Sequence, residues 1–296
     1  MEMAIELHAV RKTYGRVVAL DDATLQFPAG LLTGVLGPNG AGKTTTFRAI
    51  LGLTRPEQGR IEVMGESVRT ELPRLVKRIG AVVEEPGLHR TLDAVENMRV
   101  AALTLGRGGE RIDELLEFVG LAGDEHRPVS GFSKGMRQRL ALAIALLGDP
   151  EILILDEPLD GLDPAGQVTL KATLRSLVDE SGKTVIVSSH DLADVESLAD
   201  HVIVLDRGKL VTAGSLRELL GEGDRHRVTV DGPERAVEVL VAAGPEAAAD
   251  DGNVLVTGAA GSTISRLLAE AGLFPEELRS ARTTLERLFL DITEAR

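Results

Sequence analysis

The chain has 296 residues, 43% apolar, 27% charged and 2% aromatic, with no cysteine and a formal net charge of −13. Such a composition builds an aliphatic core in one large or two modest domains, and the missing thiols exclude disulfides and thiolate metal sites and fit a reducing compartment. The acidic balance argues against a duplex-DNA binder, no apolar run approaches the roughly 18 residues of a membrane span, and the start lacks the basic region of a secretory signal.

In chain order, Ile5 to Val10 and Val17 to Phe27 read as strands of an antiparallel front. Leu31 to Leu36 is an apolar run that reads as a buried strand. Thr44 to Leu51 places Phe47, Ile50 and Leu51 on one helical face and stops at Gly52. Between them stands Gly37-Pro38-Asn39-Gly40-Ala41-Gly42-Lys43-Thr44-Thr45, which fits the phosphate-cradling pattern Gly-x-x-x-x-Gly-Lys-[Ser/Thr] in its strand–loop–helix context. The glycines let backbone N–H groups turn toward phosphates, and the following helix adds its positive end. Lys43 supplies a point charge for β and γ oxygens, and the Thr44 hydroxyl is placed to ligate Mg²⁺. This much specifies a nucleoside triphosphate and no particular machine.

Gly59 to Val63 and Ile79 to Val83 are further strands, the second broken by Pro86-Gly87. Thr91 to about Asp149 turns helical, with segments Thr91 to Leu105, Ile112 to Val119 and one opened by Ser133. Ile152 to Leu155 is unbroken and apolar, as a strand covered on both faces of a parallel sheet would be. A helix from Pro164 to Asp179, a strand from Thr184 to Ser188, a helix from Leu192 to Leu198, strands His201 to Leu205 and Lys209 to Thr212, and a helix Ser215 to Leu220 follow. A polar boundary, 221–227, centred on Gly221-Glu222-Gly223-Asp224, separates a first domain, 1–220, from a small α+β unit, 228–296. In that unit Val228 to Val230, Asn253 to Thr257 and Leu278 to Thr283 read as strands, and Glu234 to Ala243, Ser262 to Ala271 and a last segment to Thr293 as helices.

Ligands of an open α/β sheet bind beyond the carboxyl ends of its strands. The glycine-rich loop, Asp156-Glu157 and His190 all sit just past strand ends, so they converge on one phosphate site. Asp156 reaches Mg²⁺, directly or through water. Glu157 polarises a water in line with the γ-phosphate, because phosphoryl transfer needs positioning, charge neutralisation and an oriented nucleophile. Adjacent acids are often a solvated turn, but here they cap a buried strand. His190 alone would read as an ordinary helix-start residue; beside the loop and the acids it reads as a γ-phosphate contact.

With these residues in place, residues 2–220 resemble the ATP-binding cassette (ABC) family. Gly37 to Thr45 matches its Walker A motif and Ile152 to Glu157 its Walker B. Phe132-Ser133-Lys134-Gly135-Met136 sits where the family has Leu-Ser-Gly-Gly-Gln, Asp160-Gly161-Leu162-Asp163 where it has the D-loop, and His190 at the H-loop. Tyr14, the single tyrosine, fits the aromatic that stacks on adenine. The resemblance implies a RecA-like P-loop core with an antiparallel β subdomain and a helical subdomain over about 91–149, plus the C-terminal α+β unit. It also implies an ATP hydrolase with Glu157, His190 and Lys43 at the chemistry. Two ATPs would be sandwiched in a homodimer, each completed by Ser133 and Gly135 of the other copy, an isologous arrangement.

Two motifs depart from the family pattern. Lys134 and Met136 replace Gly and Gln in the signature, while Ser133 and Gly135 are kept. Glu84 stands at the Q-loop position, where Gln normally contacts Mg²⁺ and the membrane subunit. The Glu-Glu-Pro-Gly run and Thr284 to Asp291 resemble a branch of drug and peptide-antibiotic exporters of the bacitracin and daunorubicin type. That implies a separate transmembrane permease, docked through 91–149 and the Glu84 loop, a cytoplasmic location at the inner face of the membrane, and no nucleic-acid partner. Two other classes remain open at this point. A non-transport ABC ATPase of translation or DNA repair would carry two cassettes or a long coiled-coil insertion. A GTPase switch would carry Asn-Lys-x-Asp, which does not occur.

Overall fold

Alternation of buried and solvent-facing side chains makes the first two segments long strands, β1 (Met3–Tyr14) and β2 (Val17–Pro28). The first runs well past Val10, where its apolar pattern ends, because Lys12 to Tyr14 pair with Val17 to Leu20 around a turn at Gly15. The structure, a computed structural model, describes all residues except 1, 85–86, 107, 221–224, 251, 282–283 and 295–296. The chain divides into two units, Met1–Gly214 and Ser215–Arg296.

In the first unit β3 (Leu32–Leu36) is wholly buried and leads through the glycine-rich loop into α1 (Lys43–Ile50). Then come β4 (Gln58–Val63), β5 (Glu66–Ser67), α2 (Val68–Leu75) and β6 (Ile79–Val82). The short β5 and α2 are not legible in the sequence: Pro73 lies inside α2 and removes a helix donor. The helical segment contains α3 (Ala94–Thr104), α4 (Ile112–Phe118) and α5 (Lys134–Leu146). The first of these starts three residues later than its apolar pattern, at Ala94, because Asp93 and Glu96 form a reciprocal cap. Buried Asn97 then ties the preceding loop down, accepting from His89 N–H at 2.8 Å and donating to the Asp93 carbonyl at 2.8 Å. The core resumes with β7 (Ile152–Leu155), α6 (Pro164–Asp179), β8 (Thr184–Ser189), α7 (Leu192–Glu196), β9 (His201–Asp206) and β10 (Lys209–Ser215).

Two sheets result. The antiparallel one has order β2-β1-β4-β5, and the larger one has order β10-β9-β3-β8-β7-β6. In the second, β9, β3, β8, β7 and β6 are parallel neighbours. A continuous core lies between the sheets: Ile5, Leu7, Leu25 and Phe27 from the first, Val35, Ile154, Ile186 and Ile203 from the second, and Phe47 and Ile50 of α1 between them. All five parallel strands point their carboxyl ends the same way, which places the loops after β3, β6, β7 and β8 along one edge.

The second unit contains α8 (Leu216–Leu219), β11 (His226–Thr229), α9 (Pro233–Ala242), β12 (Glu246–Asp250), β13 (Asn253–Thr257), α10 (Gly261–Glu270), β14 (Glu277–Ser280) and α11 (Leu285–Glu294). Its sheet has order β12-β13-β11-β14, a split β-α-β-β-α-β arrangement. Val228, Val254, Val256, Leu240, Ile264 and Leu268 fill its core. The strand β12, Glu-Ala-Ala-Ala-Asp, has no strand propensity of its own and exists through its pairing with β13. The expected boundary at 221–224 and the end of the expected strand at Thr283 lie outside the described residues, as do Glu85 and Pro86 of the Glu-Glu-Pro-Gly run.

Candidate active site

The loop after β3 is shaped by three glycines in the left-handed region, Gly37 (φ 153°), Gly40 (82°) and Gly42 (108°). A Cβ on Gly37 would lie 2.3 Å from the Leu205 carbonyl oxygen, and one on Gly42 would lie 2.6 Å from that of Ala19. Gly40 is different: nothing lies within 4 Å of its missing Cβ, so it is the open lip of the cradle. Asn39 is exposed beside it, and Ala41 is buried, its N–H donating to the Pro38 carbonyl. Gly42 is the N-cap of α1 and gives no side-chain cap, so the positive helix end around Lys43, Thr44 and Thr45 faces the loop with its amides uncapped. Thr46 anchors the first turn by returning its hydroxyl to the Gly42 carbonyl at 2.9 Å.

Lys43 is only 6% exposed. Its Nζ donates to the Gly37 carbonyl at 2.7 Å and lies 3.3 Å from Glu157 Oε1. The Thr44 hydroxyl donates to Asp156 Oδ2 at 2.7 Å. Asp156 is fixed by its own N–H donating to the Val82 carbonyl, which continues the β6–β7 ladder. Glu157 follows with φ 49°, a conformation uncommon for a non-glycine residue that turns the chain sharply at the strand end. Its Oε2 lies 2.8 Å from His190 Nδ1 and also accepts the His190 N–H at 3.3 Å. The structure thus brings Lys43, Thr44, Asp156, Glu157 and His190 into one chain of contacts.

Two residues that the sequence reading passed over complete this chain. The Ser188 hydroxyl donates to Asp156 Oδ1 at 2.5 Å and accepts the Glu157 N–H at 2.8 Å. The signal was present in the sequence, since Ser188 and Ser189 are polar yet buried at the end of an otherwise aliphatic strand. Gln138, on α5, donates to the Glu157 carbonyl at 3.2 Å, which connects the helical segment to the acid pair.

Glu84 is not part of this cluster. It too has a positive φ (71°), and its carboxylate pairs with Arg48, one turn further along α1 from Thr44. Tyr14 ends β1 at 43% exposure, its hydroxyl donates to Thr54 Oγ1 at 3.1 Å, and Lys12 Nζ sits 5.0 Å from the ring centre. Ser133 caps α5, accepting the Met136 N–H at 3.2 Å. Gly135 leaves room for the neighbouring Leu162, which a Cβ would approach to 3.3 Å. Lys134 Nζ pairs with Asp160 Oδ2 at 2.9 Å, and this hydrogen bond holds the Asp160 carboxyl below its ordinary pKa. Of the two departures from the signature pattern, Lys134 is partnered within the chain by an acid of the D-loop segment. A cavity of about 830 Å³ lined by Gly52, Thr54, Arg55, Arg60 and Leu72 holds none of these site residues.

A strand–glycine loop–helix cradle with a buried lysine, a hydroxyl–carboxylate pair and a second carboxylate held by a histidine is the site of a P-loop ATPase of the cassette type. The model of the ABC transporter family matches residues 20–160. The bacitracin transport ATP-binding protein BcrA of Bacillus licheniformis is 42% identical over 212 residues, 71% of this chain and 69% of that protein. The daunorubicin resistance ATP-binding protein DrrA3 of Streptomyces coeruleorubidus is 38% identical and aligns over 99% of this chain and 96% of its own length. Among solved structures, the dimeric bacterial ABC transporter cassette MJ0796 superposes with a TM-score of 0.66 at 29% identity, covering 72% of this chain and 99% of that one. The chain belongs to the ABC transporter ATP-binding proteins and is an ATP-hydrolysing cassette.

Proposed function

We propose that this chain powers export of a drug, peptide-antibiotic or lipid-like substrate through a separate membrane permease, working at the cytoplasmic face as a head-to-tail homodimer. The observation that carries the reading is the Lys43–Glu157–His190 and Thr44–Asp156–Ser188 cluster at one sheet edge, together with full-length similarity to a daunorubicin resistance ATP-binding protein. No helix among the described residues is long and apolar enough to cross a membrane.

Lys43 and the uncapped amides of α1 bind the β and γ phosphates. Tyr14, exposed at the hairpin end, stacks on the base. Thr44 and Asp156, already 2.7 Å apart, are the pair that fits Mg²⁺, which when bound neutralises phosphate charge. For Glu84 to join them it must first leave Arg48. Glu157 holds the attacking water and takes its proton, while His190 fixes the carboxylate at 2.8 Å. Ser133 and Gly135 complete the site of the second copy. The solved cassette MJ0796 is dimeric, and a related structure of it holds ADP and Pi.

The permease docks on the helical segment. Val100, Leu103 and Leu105 are exposed apolar residues on and just after α3, a short patch suited to a protein partner. The test is affinity purification of the tagged chain from its native membrane, followed by transport in vesicles holding the recovered complex. A permease whose drug export depends on Glu157 supports the reading. Recovery with ribosomes or DNA and no membrane protein overturns it.

A further inference from the structure

The outer face of the antiparallel sheet carries a second cluster of donor atoms, unrelated to the nucleotide cradle. Along β1, Ile5 and Leu7 point into the core, so Glu6 and His8 share the opposite face; along β4, Ile61 and Val63 are buried and Glu62 faces outward. The register sets Glu6 directly opposite Glu62. Like charges facing each other across neighbouring strands are destabilising, and the chain places His8 between them. His8 Nε2 lies 3.8 Å from Glu6 Oε2 and 3.8 Å from Glu62 Oε2. It is buried and has no hydrogen-bond partner. One donor atom from each residue falls within 4.8 Å of the other two.

The surrounding side chains hold the carboxylates in this posture. Gln26 Nε2, across the sheet on β2, donates to Glu6 Oε2 at 3.2 Å. Arg60 Nε donates to Glu62 Oε1 at 3.0 Å, which leaves Oε2 turned toward His8. Oriented ligands with hydrogen-bonded outer partners are the usual build of a metal site. The donor set is one imidazole nitrogen and two carboxylate oxygens with no sulfur, which suits a first-row divalent transition ion. Zinc bonds such groups at about 2.0–2.2 Å and leaves a fourth position for water when the protein supplies three ligands. Gathering the three donors around such an ion draws them in from separations of up to 4.8 Å, a movement open to side chains that are partly exposed.

We propose that Glu6, His8 and Glu62 form a zinc-class divalent metal site that cross-ties β1 to β4. The ion cancels the facing carboxylates and satisfies the orphan imidazole nitrogen.

The experiment uses the full chain, stripped with EDTA and saturated with Mg·ADP so that the nucleotide site is filled, then titrated with ZnCl₂ by calorimetry alongside thermal unfolding. The wild type is expected to bind one equivalent and to melt at a higher temperature with zinc. His8→Asn and Glu62→Gln are each expected to weaken that binding at least tenfold, to lose the zinc-dependent rise in melting temperature, and to keep ATP turnover. Two variants on different strands guard against a folding defect in either. Zinc affinity unchanged by both substitutions, no zinc binding by the wild type, or His8 imidazole resonances that do not shift when zinc is added would each overturn the site.

Discussion

The Thr44 hydroxyl donates to Asp156 at 2.7 Å across 112 positions of sequence, joining the first turn of α1 to the end of β7. This contact draws together the two motifs proposed to serve the metal of the nucleotide. Thr44→Val keeps the shape and removes the hydroxyl. We expect the Mg²⁺ concentration for half-maximal ATP hydrolysis to rise at least tenfold with little change in folding. An unchanged Mg²⁺ dependence would remove Thr44 from that role.

Glu157 lies between Lys43 and His190, with Oε1 facing the ammonium and Oε2 the imidazole. Loss of a positioned general base typically costs about 10²–10⁴-fold in rate. Glu157→Gln should therefore lower turnover by that order, keep ATP binding, and accumulate an ATP-dependent dimer in size-exclusion chromatography. Hydrolysis at the wild-type rate would show that another group activates the water.

We assign Ser188 a positioning role, since its hydroxyl bonds both Asp156 Oδ1 and the Glu157 N–H. Ser188→Ala leaves a carboxylate oxygen and an N–H without their partner, a loss of about 1–3 kcal/mol in stability for a buried group. We also expect kcat to fall more than KM for ATP, with Ser188→Thr restoring part of kcat. Equal effects of Ala and Thr on kcat would argue against the hydroxyl as the cause.

At Gly37 a methyl group would meet the Leu205 carbonyl at 2.3 Å. Gly37→Ala must displace the loop or β9, so both the melting temperature and ATP affinity should drop. Gly40→Ala, where the space is open, should spare the fold and act only through the positive φ (82°). Thermal unfolding of the two variants side by side checks this; equal losses would contradict it.

Lys134 holds Asp160 below the ordinary aspartate value of 3.8. A lowered folded pKa means that the pair's contribution is present above 3.8 and is lost as pH falls through the lower folded value. Both groups are about half exposed, so that contribution to stability is small. In a carboxyl ¹³C titration Asp160 should respond below 3.8 in the wild type and shift upward in Lys134→Met. A midpoint that does not move with the substitution would mean that the ion pair is not populated in solution.

Most of the fold was legible where local pattern and burial agree. Val35 and Leu36, Ile152 to Leu155 and Val185 to Val187 are aliphatic because both faces of the parallel sheet are covered, and the same burial wrote the strand pattern into the sequence. The helix Pro164–Asp179 has its proline at the first position and its predicted ends coincide with the observed ones. Legibility failed where one level opposed another. Pro73 concealed α2, and three alanines concealed β12, which is held by the strand beside it.

The sequence by itself picked out the candidate nucleotide site, a glycine loop leading to Lys43 and Thr44 after one strand and Asp156-Glu157 and His190 just past two others, because spacing and residue type are local properties. What only the tertiary structure decided is which of them touch. It joined Thr44 to Asp156, placed Ser188 beneath both acids, and sent Glu84 to Arg48 instead of toward Asp156. It also set Glu6 opposite Glu62 with His8 between them. Those pairings follow from sheet order and register, which bring together side chains far apart in the chain.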